Sequence, residues 1–347
     1  MRIAILDDYQ DSVRHLACFA ALSGHEVKIF TNTVKGVGQL AVRLRDADAL
    51  VLIRERSQIT RPLLDKLPQL QVIAQTGRLG RDAEGRPCAP HLDLAACTER
   101  GIAVLEGRGD PTAPAELTWA LVLAAQRRVP QYAMRLIHGA WQQSGLKGAN
   151  MPPNHGLGRV LKGSTLGIWG YGKVGRLVAG YGRAFGMRVL VWGREASQSA
   201  AARDGFELAA SRAALFEHSD VLSLHLRLND QTRGIVRFED LARMKPSALI
   251  VNTSRAELFE SADALVRALN QGRPGFAALD VFESEPILQG HPLLRLENTL
   301  CTPHLGYVEQ SSYELYFGRA FADLDAYSRG DHAAVVNPQA FEHRIAS

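Results

Sequence analysis

The sequence predicts an α/β protein built from two doubly wound parallel-sheet domains. Three observations carry this expectation. The first hundred residues alternate short apolar β-type runs with helix-compatible stretches, and a second alternation of the same kind starts at Leu166. The second one opens with Gly170-Tyr171-Gly172-Lys173-Val174-Gly175, a G-x-G-x-x-G run between a strand and a helix. Strands that alternate with helices form parallel sheets covered by their own crossovers. At 347 residues the chain suits two domains of ordinary size, each able to bury a core.

In the first alternation, strands are expected at 3–6, 27–30, 49–53, 72–74 and 102–105, with helices over 37–45 and 62–67. Residues 81–90 are polar with two prolines and read as a surface loop. A long helix follows at about 113–128; Thr112-x-x-x-Glu116 is one residue longer than a capping box, so its start is only loosely marked. Residues 142–163 are rich in Gly, Pro and Asn and read as an extended excursion. Strands of the second unit are expected at 166–169, 189–192, 221–224, 248–251 and 275–279, with 299–302 as an edge. Its helices fit at 174–185, 212–217 and 262–270, and a last helical pattern covers 312–329.

A hydrophobic content of 46% with 22% charged residues is that of a water-soluble globular protein. The net charge of +4 is small and the basic residues are scattered, which argues against nucleic acid as partner. No apolar run approaches membrane-spanning length. A strand-like run beginning at Arg2 leaves no room for a signal peptide. The four cysteines, 18, 88, 97 and 301, form no C-x-x-C pair, which favours a reducing compartment and argues against a metal site. The cytoplasm is the expected location. The cysteines read as packing residues, the Trp and Phe residues as core, and His15, His138 and His155 as surface residues.

The glycine run carries specific chemistry. Gly170 lets the chain turn off the strand, Gly172 lets a pyrophosphate approach the backbone, and Gly175 lets helix and strand pack closely. Unpaired amides at the helix start, around Lys173 and Val174, attract phosphate. Four polar clusters then fall at expected strand ends: 224–227 (LHLR), 251–255 (VNTSR), 280–286 (DVFESEP) and 302–306 (TPHLG). Open α/β sheets place ligands at that edge. An arginine, a carboxylate and a histidine there suit hydride transfer at a 2-hydroxy or 2-keto acid. The arginine holds the acid's carboxylate and polarises its carbonyl, the histidine moves the hydroxyl proton, and the carboxylate orients the imidazole and stabilises its cation. His225, on an apolar run, reads as a satisfied buried histidine.

With these motifs in this order the chain resembles the D-isomer-specific 2-hydroxyacid dehydrogenases, over nearly its whole length to Val335-Val336-Asn337-Pro338. The resemblance implies a Rossmann cofactor domain, 112–308, inserted in a flavodoxin-like substrate domain, 1–111 plus 309–347, with the active site in the cleft between them. It implies that Arg255 binds and polarises substrate, that Glu285 (rather than Glu283, because it directly precedes Pro286) partners the histidine, and that His304 is the acid/base. It further implies cofactor contacts at Thr112, Leu226, Thr253, Ser254, Asp280 and Gly306, and substrate contacts at Gly77 and Arg78. The excursion at 142–163 looks like the family's dimerisation arm, so a homodimer is expected.

Three positions depart from the family pattern. Where many members carry a ribose-binding carboxylate, Gly193 is followed by Arg194; this favours NADP over NAD, with Glu195 as the competing ribose contact. Arg227 replaces a proline, and Tyr307 replaces a small residue near the substrate. The expected activity is that of a glyoxylate/hydroxypyruvate reductase. D-3-phosphoglycerate oxidation, in a short form without a further regulatory domain, is the alternative. A non-catalytic NAD(H)-sensing protein is the reading from another class, disfavoured by the intact Arg255, Glu285 and His304. A short-chain or L-specific enzyme would need a Tyr-x-x-x-Lys near a Rossmann strand or an N-terminal Rossmann domain, and neither arrangement is found. The motifs leave open the particular acid, the physiological direction and the role of the 81–90 loop.

Overall fold

A computed structural model of the chain describes residues 1–82, 84–147 and 151–344. Parts of the expected 81–90 loop, the 142–163 excursion and the 309–347 segment fall on residues 83, 148–150 and 345–347, outside the described residues. The chain divides into two compact units, Met1–Asp110 with Glu309–Ser347, and Pro111–Val308.

The first unit begins with strands β1 (Arg2–Ile5), β2 (Glu26–Ile29), β3 (Ala49–Leu52) and β4 (Val72–Gln75), with helices α1 (Val37–Leu44) and α2 (Arg61–Leu64) in the connections. The pair β5 (Gly80–Arg81) and β6 (Pro87–Cys88), helix α3 (Leu94–Glu99) and strand β7 (Ala103–Glu106) follow. The main sheet is parallel throughout in the order β2-β1-β3-β4-β7. Leu50 and Leu52 of β3, Ile73 of β4 and Val104 of β7 share one core with Leu40 and Leu44 of α1 and with Leu63 and Leu64 of α2. The segment expected as a loop is instead an antiparallel hairpin, β5 against β6. Its polar residues build the turn: Asp82 Oδ1 accepts the amides of Glu84 at 3.0 Å and Arg86 at 2.8 Å. An aspartate that accepts amides further along the chain closes such a turn by itself.

In the second unit, α4 (Thr112–Gln126) is followed by α5 (Val129–Ile137) instead of running on to 128. Pro130 in the first turn of α5 lacks an amide, so one continuous helix would lose a hydrogen bond and clash there. The chain turns at Arg128, whose φ is 56°, and the Arg128 guanidinium donates to the Ala125 carbonyl at the end of α4 at 2.6 Å. It also donates to the His155 carbonyl at 3.2 Å, which buries His155 instead of leaving it on the surface. Trp141 departs from the core expectation in the opposite sense, at 74% exposed.

The second sheet contains β8 (Thr165–Trp169), β9 (Arg188–Trp192), β10 (Glu207–Leu208), β11 (Val221–Leu224), β12 (Leu249–Asn252), β13 (Phe276–Leu279) and β14 (Thr299–Cys301). Its helices are α6 (Lys173–Ala184), α7 (Glu195–Arg203), α8 (Arg212–His218), α9 (Phe238–Ala242) and α10 (Ala262–Asn270). The order is β10-β9-β8-β11-β12-β13-β14, all parallel, with β14 at an edge. Successive residues of a strand point to opposite faces, and here they feed two cores. Leu249 and Val251 pack with Trp119 and Val122 of α4 and Val178 of α6, whereas Ile250 packs with Phe216 of α8, Leu241 of α9 and Leu265 of α10.

The chain then returns to the first unit through α11 (Gln310–Ser328) and α12 (Ala340–Arg344). Glu309 caps α11 by accepting the Ser311 amide at 2.8 Å. The closing segment docks on β7: the Val336 amide donates to the Val104 carbonyl at 2.9 Å, and Asn337 Oδ1 accepts the Val104 amide at 2.8 Å. Among the described residues, no helix is long and apolar enough to cross a membrane, and no group of three His, Cys, Asp or Glu is placed to hold a metal ion.

Candidate active site

In the second unit the sequence-marked residues gather at the carboxyl ends of neighbouring strands, because all strands of a parallel sheet end on the same edge. At the end of β8, Gly170 has φ 98°, and a Cβ there would sit 2.6 Å from the His225 carbonyl oxygen. At Gly175 a Cβ would sit 2.2 Å from the Gly170 oxygen. Both glycines are therefore demanded by the protein's own packing. Gly172 differs: a Cβ there would meet nothing within 4 Å, and no side chain caps α6 where it starts at Lys173. Open space above a glycine, beside unpaired helix amides, fits a pyrophosphate. Lys173 is exposed in that first turn, while Val174 packs inward.

Two neighbouring strand ends frame this loop. A Cβ on Gly170 would lie 3.1 Å from Leu226 Cδ2, which puts Leu226 after β11 against the loop. Next to it, His225 Nε2 pairs with Ser223 Oγ at 2.9 Å, and burial pushes the imidazole down to about 4, so this histidine is a neutral packing group. After β9, a Cβ on Gly193 would lie 3.8 Å from Gly170 Cα and 3.1 Å from Ser197 Cβ. Arg194 caps α7 with its backbone; its side chain is exposed and, among the described residues, unpaired.

The next three strand ends carry the polar groups. Asn252 at the end of β12 organises the turn that holds Thr253, Ser254 and Arg255: Oδ1 accepts the Ser254 amide at 3.0 Å, and Nδ2 donates to the Arg255 carbonyl at 2.8 Å. Thr253 Oγ1 lies 2.7 Å from Thr118 Oγ1 of α4, and Ser254 Oγ donates to the Leu224 carbonyl at 2.8 Å. Asp280, fully buried after β13, accepts Thr302 Oγ1 at 2.6 Å and the amides of Leu305 at 2.7 Å and Gly306 at 2.9 Å. Burial pushes its carboxyl up, against the pull of the Thr302 hydroxyl and these amides. Gly306 in turn lies against the start of α4, where Thr112 opens the helix: a Cβ there would be 3.6 Å from Pro114 Cβ.

Within that turn His304 has a left-handed φ of 53°, and its Nδ1 meets Glu285 Oε2 at 2.7 Å. Glu285 Oε1 accepts the Phe282 amide at 2.9 Å. Burial pushes the Glu285 carboxyl up, but the His304 ring, the Phe282 amide and the nearby Arg255 charge outweigh it and hold the group below the usual glutamate range. The pair therefore persists at acidities where a free glutamate, near pKa ~4.3, is half protonated. Glu283 instead faces His291, at 3.7 Å. The Tyr307 ring stands edge-on to His304, with centroids 5.6 Å apart.

Gly77 and Arg78 belong to the first unit, just beyond β4. A Cβ on Gly77 would strike Arg54 Nη1, 2.4 Å away, so the Arg54 guanidinium lies on this glycine. Arg78 is exposed and, among the described residues, unpaired. Sequence reasoning passed over Arg54, Glu106 and Thr118, and gave Asn252, within the 251–255 cluster, no role of its own. The strand-end rule used for the second unit, carried to the first, finds Arg54 and Glu106, since Arg54 follows β3 and Glu106 ends β7. Nothing in the sequence marks Thr118, whose partner lies on another element.

Residues 119–306 match the family described as D-isomer specific 2-hydroxyacid dehydrogenase, NAD binding domain. A glyoxylate reductase from Aeropyrum pernix is 37% identical over 293 residues, 84% of this chain and 83% of its own. A D-3-phosphoglycerate dehydrogenase from Methanocaldococcus jannaschii is 36% identical over 282 residues, 81% of this chain, and the match spans only 49% of that relative's length. Among solved structures, a candidate D-3-phosphoglycerate dehydrogenase oxidoreductase from Ralstonia solanacearum is 66% identical with a TM-score of 0.94, over 98% of each chain.

The glycines separate folding from cofactor binding. Gly172→Ala should melt like the wild type yet bind reduced nicotinamide cofactor about tenfold more weakly, a loss of ~1.4 kcal/mol. Gly175→Ala should lower the melting temperature, because its Cβ meets backbone at 2.2 Å. Thermal melts and fluorescence titrations of both variants check this, and equal behaviour of the two contradicts it.

Proposed function

This chain belongs to the D-isomer specific 2-hydroxyacid dehydrogenase family, a nicotinamide-dependent oxidoreductase acting on CH–OH groups, and we propose that it reduces a small 2-keto acid of the glyoxylate/hydroxypyruvate kind. The observation that carries this reading is the 2.7 Å contact between Glu285 and His304, with the Arg255 charge felt at the same carboxylate. Glu285 engages Nδ1, which leaves Nε2 of His304 to give its proton to the substrate oxygen. Arg255 holds the acid's carboxylate through charge-assisted hydrogen bonds and stabilises negative charge growing on the carbonyl oxygen. Gly77 and Arg78 are read as further substrate contacts, a backbone and a cationic one. A bound nicotinamide would supply the hydride. Thr112, Leu226, Thr253, Ser254, Asp280 and Gly306 line the cofactor's path, with the glycine loop under its pyrophosphate.

The cofactor is read as NADPH in preference to NADH. Gly193 puts no carboxylate at that strand end to repel a 2′-phosphate, and the Arg194 guanidinium, unpaired among the described residues, is suited to grip one. D-3-phosphoglycerate oxidation is the second reading, favoured by the arginines beyond β3 and β4: Arg54, Arg56 and Arg78 would suit a second anionic group. Four unpaired cysteines suit a reducing compartment, hence the cytoplasm. A homodimer is supported by α5, which buries none of its residues, and by exposed Met134, Leu136, Ile137, Trp141, Leu157 and Val160.

Three measurements test these readings. His304→Ala should lower turnover by about 10²–10⁴-fold with cofactor affinity retained, whereas Arg255→Ala should harm both KM and kcat. Near-normal turnover of the histidine variant on a panel of glyoxylate, hydroxypyruvate, pyruvate, 2-ketoglutarate and phosphohydroxypyruvate removes the mechanism. Arg194→Ala should weaken NADPH about 10–100-fold, the loss of charge-assisted hydrogen bonds of ~1.5–3 kcal/mol, and leave NADH nearly unchanged. Unchanged affinity for both would shift the ribose contact to Glu195. Light scattering of the intact chain should give twice the monomer mass, and a monomer at micromolar concentration refutes the dimer.

A further inference from the structure

The loop that carries Gly77 and Arg78 is held by one acidic residue. Glu106, at the end of β7, accepts the Leu79 amide through Oε1 at 3.0 Å and pairs through Oε2 with the Arg81 guanidinium. The chain beyond it runs hard against the loop's root. The Gly107 amide donates to the Gly77 carbonyl at 3.2 Å, and a Cβ on Gly107 would sit 2.4 Å from the carbonyl oxygens of Gln75 and Thr76. Glu106 is mostly shielded, with 15% of its side chain exposed, while Arg81 is 42% exposed. The hairpin's other arginine, Arg86, is taken up by Asp82 and Glu84. Arg78, between the two clamped residues Gly77 and Leu79, is thus left as the unpaired cation of this loop among the described residues.

We infer that Glu106 is a specificity-determining residue: by neutralising Arg81 it leaves Arg78 as the one unpaired cation of the loop and hairpin among the described residues, beside the Arg54 guanidinium packed on Gly77, so the protein favours a 2-keto acid with a single negative charge over one with a second anionic group. The inference rests on the reading that Gly77 and Arg78 meet the substrate acid. Physically it is a matter of counting charge near one edge. A carboxylate placed between the loop and Arg81 cancels that guanidinium's pull on an incoming dianion, and it repels the dianion's second charge over distances shorter than a Debye length of about 8–10 Å. A merely structural clamp would make a different prediction, since loosening the loop harms all acids alike.

The test compares wild type, Glu106→Gln, Arg81→Ala, the double variant and Arg78→Ala, assayed with reduced cofactor on glyoxylate and phosphohydroxypyruvate. Gln at 106 still accepts the Leu79 amide, so the loop stays in place while Arg81 loses its counter-charge. The ratio of kcat/KM for phosphohydroxypyruvate over glyoxylate should rise about three- to fivefold in Glu106→Gln, mostly through KM, the size of an exposed ion pair's effect. The gain should shrink in high salt, and it should vanish when Arg81→Ala is added. An unchanged ratio, with both activities falling together, overturns the inference, as does a gain that survives the loss of Arg81. If Glu106→Gln does not fold, Arg81→Ala alone decides: the ratio should fall about two- to threefold, since the bare Glu106 charge then faces the dianion, and no change overturns the idea. Arg78→Ala should raise KM for both acids. Unchanged KM there, or a wild type inactive on both acids, removes the underlying reading and is recognisable as such.

Discussion

The candidate site depends on a carboxylate that is out of water. Asp280, at the end of β13, accepts Thr302 Oγ1 and the amides of Leu305 and Gly306, and so ties down the turn on both sides of His304. A buried carboxylate is costly unless such donors satisfy it, so its three bonds and the turn's geometry stand or fall together. The turn holds His304 at a positive φ, a conformation a side chain with Cβ adopts only when its surroundings compel it. Only with the turn held there does the imidazole reach Glu285. Loss of Asp280 would therefore reach the His304–Glu285 pair without touching either member.

The second constraint is the direction of the strands. In a parallel sheet every strand ends at one edge, so short polar segments far apart in sequence become neighbours there without long-range design. β8 brings the glycine loop, β9 brings Gly193 and Arg194, β11 brings Leu226, and β12 to β14 bring Arg255, Asp280 with Glu285, and His304. The helices do the complementary work. Alternate residues of each strand feed one core under α4 and α6 and another under α8, α9 and α10, which keeps both faces dry and leaves the edge for chemistry.

The first unit applies the same logic with different residues. Its sheet is also parallel, and the arginines Arg54, Arg56 and Arg78 stand beyond β3 and β4. Arg56 donates to the Asp7 carbonyl, and Arg81 in the neighbouring hairpin is held by Glu106. The distribution of ion pairs, more than the number of arginines, decides what charge such an edge offers a small acid.

Fold class, the alternation of strands and helices in each unit and the polar clusters that follow the strands were legible in the sequence because they rest on local signals. Short continuous apolar runs mark strands buried on both faces, G-x-G-x-x-G marks a turn where three glycines have three separate reasons, and polar clusters directly after strands mark the candidate edge. Glu285 was separable from Glu283 only by its place before Pro286, and the 2.7 Å contact with His304 puts it beside the ring. Tertiary structure decided what local signals do not encode. The 113–128 helix breaks at Arg128 because Pro130 cannot continue it, and His155 is buried because that arginine reaches its carbonyl. The 81–90 segment is a hairpin because Asp82 gathers two amides. The pairing of Glu106 with Arg81, 25 residues apart, and of Thr118 with Thr253, 135 apart, comes from strands and helices meeting in space, which no spacing along the chain records.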